Sequence, residues 1–161
     1  MAATTHYQDY RINPRIKIAA LWTAMLFVFV YVDLFSLYRS DVRADIAAGR
    51  IAAFTIGQGY LLGVTIYVLI PSLMVFLSLV LPVRLARMVN VVAAVVYAVT
   101  VAGSAIGEWS YFILGSVAEV AALAGVAYYA WTWPKVTEAV AGPVDESPAR
   151  TPVPAEPGVH E

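Results

Sequence analysis

Four apolar runs of about twenty residues each, at 18–38, 56–81, 85–106 and 111–133, leave this chain few folds to choose from. A helix rises about 1.5 Å per residue, so each run can cross the roughly 30 Å of hydrocarbon in a bilayer. Water is absent there, and a spanning segment must satisfy its backbone N–H and C=O groups by itself, as a helix does. The expected fold is therefore all-α: a transmembrane antiparallel four-helix bundle. The spacing leaves one sizeable loop, 39–50, in which charges alternate with Val42, Ile46 and Ala47 as in a short helix lying at the interface. A tight hairpin around Pro82 and a short turn at Gly107, Glu108, Trp109 and Ser110 make the other connections.

The flanks read differently. Residues 1–17 are polar, with Arg11, Arg15 and Lys17 just before the first run, and form a short cytoplasmic leader. The run that follows is longer than the roughly 7–15 residues of a signal-peptide core, so it is expected to remain as the first helix. From 134 onward, Pro143, Pro148, Pro152, Pro154 and Pro157 are mixed with acids and small residues, a composition that predicts a disordered cytoplasmic tail. An even number of spans puts both ends on one side. Seven Lys and Arg residues lie on that side against three on the other, which places both termini in the cytoplasm. Trp22, Tyr38, Trp109, Tyr111, Trp131 and Trp133 fall near the span ends, where aromatic belts form. No internal repeat supports an inverted-repeat transporter.

Composition sets aside several functions. The chain is 61% hydrophobic and 13% charged with a net charge of -1. That charge content is about half that of a soluble domain, and no basic cluster is present to meet nucleic-acid phosphates. It contains no Cys, which removes thiol redox chemistry and Cys-ligated metals, and His6 and His160 both lie in the polar flanks. No serine–histidine pair, phosphate loop or metal spacing is present, so neither catalysis nor a cofactor is expected.

Two acids stand out. Asp33 and Glu119 lie inside apolar runs, where an ionisable group costs roughly 3 kcal/mol and is usually neutral, paired or turned toward a polar cavity. Counting along the helices puts Asp33 about 8 Å and Glu119 about 12 Å from the outer ends, nearly one layer. Tyr67 and Tyr97 come about 14–17 Å from theirs. Pro71 lacks an N–H, frees the carbonyl of Tyr67 and is expected to kink its helix, leaving a carbonyl and two acids that could hold a cation or a proton. Gln58 and Tyr60 could line an entrance. The plainer reading is that each acid stays neutral and bonds a neighbouring helix, fixing register. Arg39 is near enough to snorkel back onto Asp33, and Glu108 is expected to be solvated. Asn90 should bond across to a neighbouring helix. Small residues four apart (Ala20 and Ala24; Gly59 and Gly63; Ala94, Ala98 and Ala102; Ala118 and Ala122) suggest close helix packing within the chain.

Several short elements stand out together: Arg11-Ile12-Asn13 with Lys17, Ala20, Leu21 and Trp22; Tyr31-Val32-Asp33; Leu61-Leu62-Gly63; Ile70-Pro71-Ser72-Leu73-Met74; Asn90; and Ala130-Trp131-Thr132-Trp133. As a set they resemble an uncharacterised family of small bacterial four-span membrane proteins. The resemblance covers roughly 10–133. It implies the fold and a bacterial plasma membrane, with Asp33 and Glu119 matching acids of the first and fourth helices, and no activity. A weaker likeness to DoxX-type small membrane proteins rests on size and span count. Three roles follow as expectations: a binding or interaction bundle with a polar outer-half pocket, a proton- or cation-coupled carrier or channel component, and a membrane redox or lipid-enzyme accessory subunit. The expected partners are membrane lipids, with a protein partner or a second copy in the membrane as a further possibility.

Overall fold

The computed structural model describes residues 11–134. Four long helices carry the chain back and forth: α1 (Pro14–Ser36), α3 (Gln58–Val80), α4 (Val83–Ser104) and α5 (Ser110–Trp131). Each is apolar and long enough to cross a membrane. Between α1 and α3 lie a short helix, α2 (Ser40–Ala47), and a small antiparallel hairpin, β1 (Arg50–Ile51) and β2 (Phe54–Thr55). The expected tail from 135 and most of the expected leader lie outside the described residues.

Local chemistry explains the helix ends. The first helix starts four residues before the apolar run because Asn13 caps it, its side chain accepting from the Arg15 N–H at 3.0 Å, and Pro14 occupies the first turn. Pro82 forces Leu81 into an extended conformation and ends α3, so α4 begins immediately afterwards. Gly49, at φ +75°, closes α2 by donating its N–H to Ile46 at 2.9 Å. The hairpin that follows carries no local sequence signal. Its two-residue turn is Ala52-Ala53, without the Asn-Gly or Gly-Gly signal that marks such turns, and Ala52 takes φ +47° itself.

The bundle is ordered up and down: α1 packs against α3 and α5, and α5 packs against α4. The remaining seam, between α3 and α4, is sparse although only Leu81 and Pro82 separate the two helices. Two arginines bind the ends together. Arg15, at the start of α1, reaches the carbonyls of Leu79 at 2.8 Å and Leu81 at 2.7 Å at the end of α3. Arg87, at the start of α4, donates to Ala130 and Trp131 at the end of α5, both at 3.0 Å. Helix C-terminal carbonyls have no partner of their own, and a cation there also meets the negative end of the helix dipole.

The packed core lies in the half of the bundle that carries these contacts. Ile18, Trp22, Met25, Met74, Ala94, Tyr97, Leu123, Val126 and Ala130 form it. Asn90 joins three helices there, as expected from the sequence. It accepts from Trp22 Nε1 at 2.7 Å, lies 3.0 Å from Ser78 Oγ and donates to the Ala86 carbonyl at 2.8 Å. Because an indole N–H only donates, the Trp22 bond fixes which way the Asn90 amide points.

The small-residue pattern holds in part: Ala94 lies in the core, and Ala98 and Ala122 pack against it. Ala20, Ala24 and Ala102 face outward, and a side chain at Gly59 or Gly63 would meet nothing. Close approach occurs instead where α5 meets α1. A Cβ at Gly115 would collide with Val32, and one at Gly125 would come within 2.9 Å of Leu21. Regular spacing in an Ala-rich chain does not show which face is inward.

Large apolar side chains cover the outside of the bundle, Phe27, Leu62, Phe76, Val99 and Leu114 among them. So much exposed hydrocarbon is untenable in water and natural in lipid. Replacing Asn90 with Leu should leave the Trp22 N–H unpaired in a dry core and cost about 1–3 kcal/mol. The check is the melting temperature of the purified protein in detergent, which should fall for Asn90→Leu.

Candidate functional site

Where α3 and α4 part, the bundle holds an open-sided cavity of about 960 Å³. All four long helices and the hairpin line it. From α1 come Phe29, Val32 and Asp33; from α3, Tyr60, Gly63, Val64 and Tyr67; from α4, Thr100, Val101 and Ser104; from α5, Phe112, Ser116 and Glu119. Ile51, Ala52, Phe54 and Thr55 of the hairpin close one side, and Phe54 stacks on Tyr60 with ring centres 5.9 Å apart. The spacing is helical throughout: positions 29 and 33, 60, 63 and 67, and 112, 116 and 119 each mark one face. That periodicity was present in the sequence and could have revealed Phe29, Phe112 and Ser116. The hairpin contribution had no such signal.

The two acids share this cavity, Asp33 from α1 and Glu119 from α5. They do not share a layer. Because α1 ends at Ser36, Asp33 lies about 5 Å from its helix end, whereas Glu119 lies about 14 Å into α5. Their burial follows: Glu119 is only 3% exposed, while Asp33 is exposed at the mouth. Neither carboxyl has a hydrogen bond or ion pair among the described residues. No buried polar side-chain atom among them is left without a partner, so the Glu119 oxygens keep their access to the cavity.

The expected Arg39–Asp33 pair does not form. Arg39 turns the other way, binding Asp41 and Glu108 at 2.6 Å each and covering Trp109 at 4.5 Å. The loop acids lie within its reach once α1 has ended, and they keep the guanidinium at the surface. Its hydrogen bond holds the Asp41 carboxyl below the usual range. Glu108 is thus a partner of Arg39 rather than a freely solvated side chain.

The carbonyl that Pro71 frees is also not free. The Tyr97 hydroxyl donates to the Tyr67 carbonyl at 2.5 Å, replacing the helix bond that proline cannot make. The Thr100 hydroxyl donates to the Tyr97 carbonyl at 3.0 Å and lies 2.8 Å from the Tyr67 hydroxyl. With its one proton spent on that carbonyl, Thr100 accepts from Tyr67. Both tyrosine protons are therefore committed within the wall. Tyr67 faces the cavity, and Tyr97 stands behind it, ring centres 4.8 Å apart. Gln58 is brought to neither the cavity nor the acids. It opens α3 and is exposed, because its turn lies beyond Tyr60.

Four long apolar helices, with an open-sided cavity among them, define a multi-pass helical membrane protein. The chain belongs to a family of unknown function, DUF6326, whose model matches residues 7–140. No curated protein and no solved structure matches it. The family agrees with the resemblance drawn from the sequence, and nothing in these comparisons supports the DoxX-type likeness.

The Tyr97 bond gives a measurable coupling. Tyr97→Phe should cost about 1–2 kcal/mol by stranding the Tyr67 carbonyl. In a Pro71→Ala background the restored N–H can take that carbonyl, and the same change should cost less than half as much. Unfolding of the four proteins of this double-mutant cycle in detergent measures the difference.

Proposed function

We propose that the protein is a non-catalytic binding bundle of the bacterial inner membrane, both termini cytoplasmic, which holds a small ligand in the outer half. The observation that supports it most is the cavity of about 960 Å³, into which Asp33 and Glu119 open without partners among the described residues. A volume near the upper end of the roughly 300–1,000 Å³ typical of ligand sites suits a guest molecule. The wall is also prepared: Tyr67 is held by Thr100, and Phe54 by Tyr60, so their rings are placed before a ligand arrives.

The chain has no cysteine, so one introduced thiol reports on the cavity without background. Ser104→Cys in membranes should react with N-ethylmaleimide. Gly63→Phe, whose ring has room to enter the cavity, should slow that reaction several-fold, while a Ser40→Cys control on α2 is unaffected. A Ser104 thiol that never reacts, or one indifferent to Gly63→Phe, would show that the cavity is not an open binding space.

A second reading follows from the acids themselves, since unpaired carboxyls in an intramembrane cavity are also the parts of a proton or cation path. In sealed vesicles carrying the protein, a proton or cation gradient should then drive flux that Asp33→Asn and Glu119→Gln abolish. Vesicles without flux under either gradient would leave binding alone.

A further inference from the structure

The charge and the chemistry of the lining select among ligands. Among the described residues that face the cavity there are two carboxyl groups and no Lys, Arg or His. Arg39, at the same end of the bundle, is already engaged by Asp41 and Glu108. An anionic guest would find no countercharge. Half of the wall hydroxyls are already committed, Tyr67 to Thr100, Thr100 to the Tyr97 carbonyl and Ser104 to the Val101 carbonyl at 2.9 Å, which leaves Thr55, Tyr60 and Ser116 as the hydroxyls a sugar-like guest would meet.

A lipophilic cation meets the opposite conditions. Phe29, Phe54, Tyr60, Tyr67 and Phe112 present aromatic surface, and the negative face of an aromatic ring attracts a positive charge, most strongly where water is excluded. Glu119, almost wholly buried and without a partner among the described residues, supplies a countercharge deep in the site. Asp33 supplies another at the mouth. An acid that keeps its access to an apolar cavity gains most from a guest bringing a positive charge with its own hydrophobic surface.

We propose that this cavity binds lipophilic monocations of the quaternary ammonium or phosphonium type, with Glu119 as the deep countercharge, Asp33 as the entry charge and the aromatic side chains as the cation's solvation shell. The proposal rests on the binding reading above and adds the ligand class. The shape of the wall fits a bulky ion better than a small one. Among the described residues no group of three or more acids or histidines is placed to hold a metal ion, whereas rings and aliphatic groups match a cation clothed in hydrocarbon.

Two ions of nearly the same size and shape but opposite charge test it: tetraphenylphosphonium and tetraphenylborate. Equilibrium dialysis of each against the full chain in lipid nanodiscs should give saturable binding for the phosphonium and none above empty nanodiscs for the borate. Glu119→Gln and Asp33→Asn should each weaken phosphonium binding about tenfold or more. Equal saturable binding of both ions would overturn the cation class while leaving the cavity a binding site. Absence of saturable phosphonium binding would overturn it as well, and the maleimide experiment would then decide the binding reading separately. Should Glu119→Gln fail to fold, Asp33→Asn at the exposed mouth provides the same comparison, and unchanged affinity in a folded acid variant would also overturn the proposal.

Discussion

Every backbone polar group that lipid surrounds must find a partner inside the protein, because hydrocarbon offers none. Most of this structure follows from that requirement. It makes the four apolar runs helical, and it concentrates the remaining difficulty at helix ends and at Pro71. Four such places have a dedicated side chain: Asn13 at the start of α1, Arg15 beneath the end of α3, Arg87 beneath the end of α5, and Tyr97 at the carbonyl that Pro71 leaves open. Three of these contacts also cross between helices. The same bonds that complete the backbone therefore hold α1 to α3, α4 to α5 and α4 to α3. In lipid, where apolar surfaces gain little by leaving their surroundings, such bonds and close packing carry the association.

Their distribution divides the molecule in two. The arginine contacts and the Asn90 node gather at one half, where Trp22, Met25 and Leu123 fill the space between helices. In the other half the α3–α4 seam loosens and the cavity opens. Tyr97 stands at the boundary. Its ring belongs to the core, edge-on to Trp22 with centres 6.0 Å apart, while its hydroxyl secures the helix turn that carries Tyr67 into the cavity wall. A firm half thus provides the frame on which an open half can be maintained, as binding sites on rigid elements require.

The spans were legible in the sequence because hydrophobic run length is a one-dimensional property, and the membrane leaves a run of about twenty residues one main solution. Asn90 was legible for a similar reason, since a polar amide in an apolar span needs a partner. The errors arose where direction mattered. Arg39 and Asp33 are close along the chain, yet the end of α1 at Ser36 frees Arg39 to turn toward Asp41 and Glu108. Gln58 and Tyr60 both open α3, but only Tyr60 faces inward. The Ala and Gly repeats gave spacing without azimuth, and Gly115 was missed because what matters there is Val32 on another helix. The hairpin, with alanines in its turn, carried no local signature.

The shallow position of Asp33 determines what the two acids can do together. Two carboxyls in one layer could share a proton and bond one another, which is a structural arrangement. At depths differing by about 9 Å along the helix axes they are better arranged as successive positions on one route than as a pair. The shallow acid is exposed and the deep one enclosed, and aromatic surface lies between the mouth and the interior. A register-fixing role would call for each carboxyl to reach a donor or acceptor on a neighbouring helix, and among the described residues neither does, while the Tyr67 and Thr100 hydroxyls of the wall are bonded to one another. The polar groups that do fix register, Asn90 and Tyr97, are fully engaged and stand behind the wall, so the acids are left to face the cavity.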